Sequence, residues 1–163
     1  MLSLYRPQYD YREVNHMSSS WRQKSENANV IIVGCGAFGA VAAAKLSNQN
    51  RNVAVIDRSR DRFSKLPSSF HGTTIEGDGS DMDLLEAAGA KNADLLIAST
   101  DSDNANAMIA QIGRQMFGIK KVVARMYDTS KQIAYSNMDI ITICPTDSSA
   151  EAFEQLIMDE DHE

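Results

Sequence analysis

Cysteine, histidine and proline are scarce in this chain of 163 residues, which contains two, three and three of them. The two cysteines, Cys35 and Cys144, lie far apart, one beside glycines and the other before Pro145. This arrangement is neither a disulfide framework nor a zinc-ligand spacing, and it suits a reducing compartment. The histidines are also scattered without the spacing of metal ligands. We therefore expect no disulfide and no metal site.

Long apolar runs and basic stripes are missing as well. The longest apolar runs, such as Val30 to Val33, are far too short to span a bilayer. The net charge of −6 argues against a nucleic-acid partner, because binding to phosphates needs a basic surface. With 43% hydrophobic and 23% charged residues, the composition is that of an ordinary globular domain. The expectation is one soluble, cytoplasmic domain.

Both ends of the chain differ from its middle. Residues 1–28 contain Trp21 and three tyrosines without a helical or strand period, and they have no apolar core of a secretory signal. This N-terminal extension is expected to be either a disordered arm or an arm whose aromatic residues dock on a partner or a second copy. Residues 159–163 form an acidic tail that we expect to be solvated. Residues 29–158 remain for the folded domain.

Short runs of β-forming apolar residues alternate with helix-type segments in this middle region. The predicted strands are Asn29–Val33, Asn52–Ile56, Thr73–Ile75, Asp94–Ala98, Lys121–Arg125 and Asp139–Ile143. The predicted helices are Gly36–Asn48, Asp61–Leu66, Asp81–Ala88, Asn104–Phe117, Ser130–Asn137 and Ser148–Met158. Several strands are apolar throughout, which is typical of parallel strands covered on both faces. The pattern predicts an α/β fold, a Rossmann-like doubly wound six-stranded parallel sheet with order 3-2-1-4-5-6.

A glycine-rich loop follows the first predicted strand and opens the first helix. Its sequence is Gly34-Cys35-Gly36-Ala37-Phe38-Gly39. We expect Gly34 to permit the tight turn and Gly36 to leave room for a phosphate, which backbone N–H groups and the helix dipole attract. Gly39 would allow the helix to pack closely on the strand. The loop therefore predicts a nucleotide site.

An acid, Asp57, ends the second predicted strand, where a carboxylate can accept hydrogen bonds from ribose hydroxyls. A 2′-phosphate at about 4 Å from it would be repelled by about 4 kcal/mol at an effective dielectric near 20. The pattern thus favours NAD(H) or ATP/ADP over NADP, although the neighbouring Arg58 could accept a phosphate. The alternative is that the glycines serve only the turn and Asp57 caps the next helix.

Further polar groups follow the other strands, where this fold binds its ligands. Asp78 after Gly77 could accept a hydrogen bond from an adenine amino group, whereas Ser80 or Asp81 is expected to cap a helix. Ser99, Thr100 and Asp101 follow the fourth strand and are predicted, like Gly77 and Asp78, to contact the ligand, with the three residues after the fourth strand facing its phosphates. Arg125 ends the fifth strand and is predicted to bind a phosphate or a dimer partner, or else to pair with Asp128.

These residues together make the chain resemble the N-lobe of the RCK domains, the regulators of potassium conductance. That family includes the Trk- and Ktr-type regulatory subunits of bacterial potassium uptake systems, with their TrkA-N domain. The resemblance runs from about Asn29 to Ile157 and is carried by the glycine loop and by the segments 53–57, 76–80, 84–85, 88–90, 93–94, 96–106 and 122–125.

The resemblance implies a regulator and not an enzyme. Family members bind NAD(H), ATP or ADP, assemble as dimers and octameric rings, and act on a membrane channel or transporter subunit. Two features depart from the family: Ala37 stands where some ATP-responsive members have an arginine, and the usual C-terminal lobe does not follow in this sequence, which we expect to be either a short natural subunit or a fragment. The ligand contacts implied by the resemblance are Gly34, Gly36, Ala37, Phe38, Gly39, Asp57, Arg58, Asp78, Thr100 and Arg125.

Two other classes of function stay open. An NAD-dependent oxidoreductase is suggested by Tyr127 and Lys131, whose i, i+4 spacing on a helix could make the phenol a usable acid. Against it, a serine upstream and a substrate domain are lacking, so we expect no catalytic residues. A nucleotide-free interaction module would require a damaged glycine loop or a replaced Asp57, and the chain has neither.

Three smaller expectations concern reactivity and assembly. Cys35 at a helix N-terminus is either a redox-active thiol of lowered pKa or, as we favour, a small residue tolerated in the loop. Met108 and Met116 are interpreted as core or as dimer-face residues. A homodimer is expected through the apolar face of the 104–117 and 130–137 helices, with Met108, Ile112, Phe117 and Ile133.

Overall fold

The sheet predicted from the sequence is present, with all six strands and in the predicted order. A computed structural model describes residues 27–128, 135 and 138–159 of the chain. Within them the strand order is β3-β2-β1-β4-β5-β6, and every neighbouring pair is parallel. The strands are β1 (Asn29–Val33), β2 (Asn52–Asp57), β3 (Thr73–Glu76), β4 (Leu95–Ala98), β5 (Lys121–Arg125) and β6 (Ile141–Ile143). The predicted Rossmann-like doubly wound fold is confirmed.

Helical segments connect the strands on both faces of the sheet. The α-helices are α1 (Ala37–Ser47), α2 (Met82–Ala87), α3 (Asp103–Gln111) and α4 (Pro145–Asp159). Shorter helical turns of the 3₁₀ type span Arg60–Lys65 and Ala90–Asn92, and a π-helix spans Ile112–Met116. No helix in the described part of the chain is long and apolar enough to cross a membrane.

Alternate residues of the central strands divide between two cores, because neighbouring side chains of a strand point to opposite faces. Val30 and Ile32 of β1 pack with Ala40 and Ala43 of α1 on one face. Ile31 and Val33 pack on the other face, with Leu85 of α2 and Ile109 of α3 among their neighbours. Residues from Val30 to Val33 are at most 2% exposed, so β1 lies at the centre of the molecule.

The segment after β2 forms a 3₁₀ helix, Arg60–Lys65, where the sequence predicts a helix over residues 61–66. It ends at Leu66, which has extended backbone and precedes Pro67. A residue before proline is disfavoured in the helical region, so this helix stops before Leu66 and stays short. Its position matters, because Arg62 on this turn lies near Asp57 and Asp101.

The single helix predicted over residues 104–117 divides in two. The α-helical part ends at Gln111, and a π-helix follows from Ile112 to Met116. Gly113 in this π segment packs against Leu96: a Cβ there would lie 3.1 Å from the Leu96 side chain. The π turn is closed by the Phe117 N–H, which donates to the Ile112 carbonyl.

Near the C-terminus the element bounds shift by a few residues. β6 begins at Ile141 and not at Asp139, because Asp139 has a φ of 54° that a strand residue does not adopt. α4 begins at Pro145, three residues before the predicted start, and proline is well suited to a first helical position. The N-terminal extension (apart from residues 27 and 28), most of the predicted 130–137 helix and the last four residues of the acidic tail lie outside the described residues.

Candidate functional site

A crevice of about 230 Å³ opens at the carboxyl ends of the central strands, where the sheet order reverses between β1 and β4. Such a position is the usual ligand site of a doubly wound sheet. The crevice is lined by seven of the predicted site residues: Gly34, Asp57, Arg58, Gly77, Asp78, Thr100 and Asp101. Arg62 and Ser102 line it too, although the sequence analysis did not select them.

Two glycines of the loop are required by the fold itself. Gly34 has a φ of 102°, and a Cβ on it would lie 2.6 Å from the Ser99 carbonyl oxygen. A Cβ on Gly39 would lie 1.9 Å from the Gly34 carbonyl oxygen. The buried Ser99 hydroxyl lies 3.2 Å from the Val33 carbonyl oxygen and 3.1 Å from the Gly34 carbonyl oxygen, and its one hydrogen can be donated to either. Ser99 thus lies beneath the loop and fixes it to β4.

The third glycine is different, because a Cβ on Gly36 would have no atom within 4 Å. Gly36 precedes α1 as its N-cap residue and offers no side chain to satisfy the first N–H groups of the helix. Ala37 and Phe38 form the first turn of α1 behind it. The open space and the free helix terminus fit the phosphate of a nucleotide.

Asp57, the predicted ribose acceptor, is only 8% exposed and already holds two backbone groups. Its Oδ2 accepts from the Cys35 N–H at 2.7 Å and its Oδ1 from the Ser59 N–H at 2.9 Å. Each carboxylate oxygen can accept a second hydrogen bond. Asp57 therefore fixes the glycine loop to the end of β2 and retains acceptor capacity toward the crevice.

Asp78 is an acceptor that other side chains occupy in this structure. Its Oδ1 accepts from the backbone N–H and the hydroxyl of Ser80, and its Oδ2 pairs with Arg58 at 2.7 Å. The hydrogen bonds from Ser80, with a smaller contribution from Arg58, lower the pKa of Asp78. Asp81 caps α2 as expected, since its Oδ1 accepts from the Asp83 N–H at 2.9 Å.

Arg62 is the main crevice residue that the sequence analysis missed. Its guanidinium lies 3.4 Å from Asp101 and 4.0 Å from Asp57. The signal that could have found it is its position: five residues after Asp57, one turn into the segment that leaves β2. Three carboxylates and two guanidinium groups therefore surround this end of the crevice, with one net negative charge.

A buried amide, Asn106, connects the ends of β4 and β5. Its Oδ1 accepts from the N–H and the hydroxyl of Thr100, each at 2.7 Å. Its Nδ2 donates to the carbonyls of Thr100 and Arg125. Asp103, three residues earlier, accepts from the N–H groups of Tyr127 and Asp128. The first turn of α3 thus holds the crevice side of β4 and the segment after β5 together.

Arg125 ends β5, lies against two aromatic rings and is not among the residues that line the crevice. Its guanidinium carbon is 4.3 Å from the centre of the Tyr127 ring and 5.8 Å from that of Phe38. The structure thereby brings β5 next to the first turn of α1. Tyr127 follows β5 in a bend and not in a helix, so the helical spacing assumed for an oxidoreductase is wrong at this residue. Lys131, its expected partner, lies outside the described residues.

The thiol of Cys35 is fully buried, and its pKa is raised, first by burial and then by the Asp57 carboxylate. The alternative of a redox-active thiolate at this position is therefore not supported, because such reactivity requires a lowered pKa.

The residues proposed for dimerisation differ in their exposure. Ile112 and Phe117 pack against the core, whereas Met108 is 48% and Met116 is 61% exposed. The interpretation of the two methionines as core residues is therefore wrong. Ile133 lies outside the described residues, and the dimer itself stays a prediction.

The chain is similar to proteins of known family, among them potassium uptake proteins. Residues 30–156 match the model of the TrkA-N domain family. The chain is 39% identical over 115 residues to the Trk system potassium uptake protein TrkA of Streptomyces coelicolor, a match that covers 71% of this chain and 52% of that protein. The chain thus spans about half the length of this relative.

Solved structures resemble the chain over most of its length. The Kef C-terminal domain of Shewanella denitrificans, in an AMP-bound form, is 29% identical with a TM-score of 0.62 and a coverage of 80% on both sides. GsuK bound to ADP has a TM-score of 0.67 at 22% identity, covering 86% of this chain and 36% of that one. A second GsuK structure, bound to NAD, has a TM-score of 0.61 at 17% identity and covers 72% and 21%. The two GsuK matches show a shared fold.

Proposed function

This chain belongs to the TrkA-N domain family, and from that premise we propose that it is a nucleotide-sensing regulatory subunit or domain that acts on a membrane potassium channel or transporter. The observation that carries the proposal is the open space at Gly36. Gly36 is the N-cap residue of α1, and the side chain of Asp57 accepts a hydrogen bond from the backbone of the same loop at Cys35. That combination suits an anionic ligand with a ribose, because it offers backbone donors beside a fixed carboxylate acceptor.

We propose NAD(H) or an adenosine phosphate such as ATP or ADP as the ligand. The AMP-bound and ADP-bound relatives and the NAD-bound GsuK structure support this class. NADP is disfavoured, since the crevice end that includes Asp57, Asp78 and Asp101 has a net negative charge that would repel a 2′-phosphate. The side chain of Ala37 has no donor for an outer phosphate, so a preference for ATP over ADP is not expected.

The proposed contacts are the predicted ones, with roles that follow from their surroundings. Gly36, Ala37 and Phe38 present backbone N–H groups, and Asp57 accepts from the ribose. Thr100 and the backbone around Gly34, Gly77 and Gly39 shape the walls, while Arg58 and Asp78 border the base. Arg125 would approach the phosphates from the rim at Phe38.

Regulation requires that the ligand bind one conformation of the protein better than another, because equal binding to both shifts nothing. The Asn106 network joins Thr100 in the crevice to the backbone of Arg125. We propose that occupancy of the crevice is transmitted along this network to neighbouring subunits. The expected assembly is a homodimer or an octameric ring, located in the cytoplasm at the inner face of the membrane through its transporter partner.

Ligand binding to the purified chain tests the proposal. Isothermal titration calorimetry and thermal shift are measured with NAD, NADH, NADP, ATP, ADP and AMP. A ligand at 100 times its Kd should stabilise the fold by about 2.7 kcal/mol, a clear rise in Tm. Binding that Gly36→Val abolishes supports the proposal. Absence of binding by all six nucleotides would refute it and favour a nucleotide-free interaction module.

Assembly is tested separately by size-exclusion chromatography with light scattering at tens of micromolar. A dimer or larger species supports the proposed subunit role, whereas a monomer with and without nucleotide contradicts it.

A further inference from the structure

The ion pair between Arg62 and Asp101 crosses the mouth of the crevice. Arg62 belongs to the 3₁₀ turn after β2, and Asp101 follows β4. Because β1 lies between β2 and β4 in the sheet, a contact between these two segments has to pass over the end of β1. The glycine loop starts at that end, so the pair lies across the space that Gly34 and Asp57 line.

The other arginine of the crevice makes a different kind of pair. Arg58 follows β2 and pairs with Asp78, which follows the adjacent strand β3. That pair joins neighbouring strands along one side of the crevice and does not span β1. Of the two pairs, only Arg62–Asp101 connects the two walls between which a ligand would enter.

The pair is also weak enough to be replaced. The side chains of Arg62 and Asp101 are 41% and 74% exposed, and their closest atoms are 3.4 Å apart. Exposed ion pairs contribute little net free energy and are screened by salt. A guanidinium binds phosphate oxygens with the same planar donors that it offers to a carboxylate. A phosphate and Asp101 therefore compete for one group.

We propose that the Arg62–Asp101 pair closes the ligand-free crevice and that a phosphate of the incoming nucleotide replaces Asp101 as the acceptor of Arg62. The proposal rests on the proposed nucleotide-binding function. It makes Arg62 a residue that determines ligand specificity, and it makes Asp101 a competitor of the ligand. This differs from the sequence-based prediction for Asp101, which placed it among the ligand contacts.

The two roles of Asp101 predict opposite results for Asp101→Asn. If Asp101 competes, the variant binds AMP about threefold to fivefold more tightly than the unchanged chain, which is the range of an exposed ion pair. If Asp101 contacts the ligand, the variant binds AMP more weakly. Arg62→Gln weakens AMP binding, and adding Asp101→Asn to Arg62→Gln restores only a small part of it.

Calorimetric titrations with AMP and with adenosine at low salt, repeated at high salt, measure these effects. Adenosine lacks the phosphate, so its affinity should gain less from Asp101→Asn than that of AMP does. The gain for AMP should also shrink at high salt, because salt screens exposed charges. Glu86→Gln is the matched control: it removes the same charge from an exposed pair with Lys91 outside the crevice, and AMP affinity should stay within about 1.5-fold.

The outcomes separate this proposal from the proposed function. Tighter binding of AMP by Asp101→Asn supports it, including the case in which AMP binds measurably only after the substitution. If Asp101→Asn binds AMP equally or more weakly, or if its affinity for adenosine rises as much as that for AMP, the proposed replacement of Asp101 by a phosphate is overturned. The proposed nucleotide binding is unaffected by that result. If neither the unchanged chain nor Asp101→Asn binds AMP or any other nucleotide of the panel, the proposed function and this proposal both fail.

Discussion

Gly34, Gly36 and Gly39 are the same residue in one loop, but their surroundings assign them different roles. Gly34 and Gly39 have no room for a side chain because backbone atoms lie within 3 Å of the missing Cβ. Gly36 faces open space. Gly34 and Gly39 are therefore required by the fold, whereas Gly36 leaves space for a ligand, and substitutions can distinguish the two roles.

Gly36→Val and Gly39→Ala should differ strongly in how much they destabilise the fold. At Gly36 the backbone is extended, with φ −75° and ψ −171°, so we expect a change of less than about 1 kcal/mol in the free energy of unfolding. Nucleotide binding should be lost. At Gly39 the collision with Gly34 should cost about 3 kcal/mol or more. Urea denaturation with calorimetric titration measures both effects, and a strongly destabilised Gly36→Val would contradict the assignment.

Asp57→Ala should reduce stability as well as ligand binding. The substitution removes the acceptors of the Cys35 and Ser59 N–H groups, and losing them should cost about 2 to 4 kcal/mol. Asp57→Asn keeps one acceptor and should cost less. Denaturation in the absence of nucleotide measures the difference, and equal stability of Asp57→Ala and the unchanged chain would show that the carboxylate does not hold the loop.

Cys35 should make stability depend on alkaline pH. Its pKa is raised in the folded chain, so the unfolded chain loses the thiol proton first. Stability is therefore highest below the unfolded pKa of about 8.5 and falls as pH rises toward the folded value, by at most about 1.4 kcal/mol per pH unit. Denaturation between pH 7.5 and 10, compared with Cys35→Ala, measures this contribution. An equally steep fall in Cys35→Ala would assign it to other groups.

At the scale of elements, the first turn of α3 connects parts of the chain that are distant in sequence. Asn106 forms four hydrogen bonds with Thr100 and the Arg125 backbone. The carboxylate of Asp103 accepts from the N–H groups of Tyr127 and Asp128. A buried amide with all its donors and acceptors satisfied fixes the geometry of its neighbours. The relative position of the β4 and β5 ends therefore depends on this one turn.

Asn106→Ala should destabilise the chain by about 2 to 4 kcal/mol, because the substitution leaves buried partners without hydrogen bonds. It should also increase hydrogen exchange at Thr100 and in residues 125–128. Asn104→Ala is the matched control, since Asn104 is exposed on the same turn. Equal effects of the two substitutions would mean that the loss of stability comes from a change in the helix propensity of α3 and not from the lost hydrogen bonds of Asn106.

At the scale of the whole molecule, the charge around the crevice comes from three different loops. Asp57 ends β2, Asp78 and Asp101 follow β3 and β4, and Arg58 and Arg62 both follow β2. Each arginine is paired with an acid from another loop. The assembled sheet therefore decides whether these arginines are available to a ligand.

NAD should bind at least about tenfold more tightly than NADP, because a 2′-phosphate adds negative charge to this end of the crevice. Asp78→Asn removes one carboxylate and releases Arg58, so it should narrow the difference between the two ligands. Calorimetry at one fixed salt concentration measures the ratio. Equal affinities of the unchanged chain for NAD and NADP would contradict this account of specificity.

The sequence by itself determined the sheet and the place of the site. Apolar runs such as residues 30–33 and the stop signals between them are local properties, and right-handed crossovers leave few ways to join such strands. The glycine loop and Asp57 were found for the same reason, since each follows a recognisable strand. The details at 112–116 and 139 were missed because packing of Gly113 on Leu96 and the backbone turn at Asp139 depend on contacts or geometry that a periodic pattern does not contain.

Only the tertiary structure decided what the charged residues around the site do. Arg62, Asp101 and Asp57 are separated by up to 44 positions in the chain, yet the order of the strands places them around one loop. The same is true of Asn106, whose partners are Thr100 after β4 and Arg125 at the end of β5. Strand order is a property of the whole sheet, and pairing of charges requires distances, so both become visible only when the strands have been brought side by side.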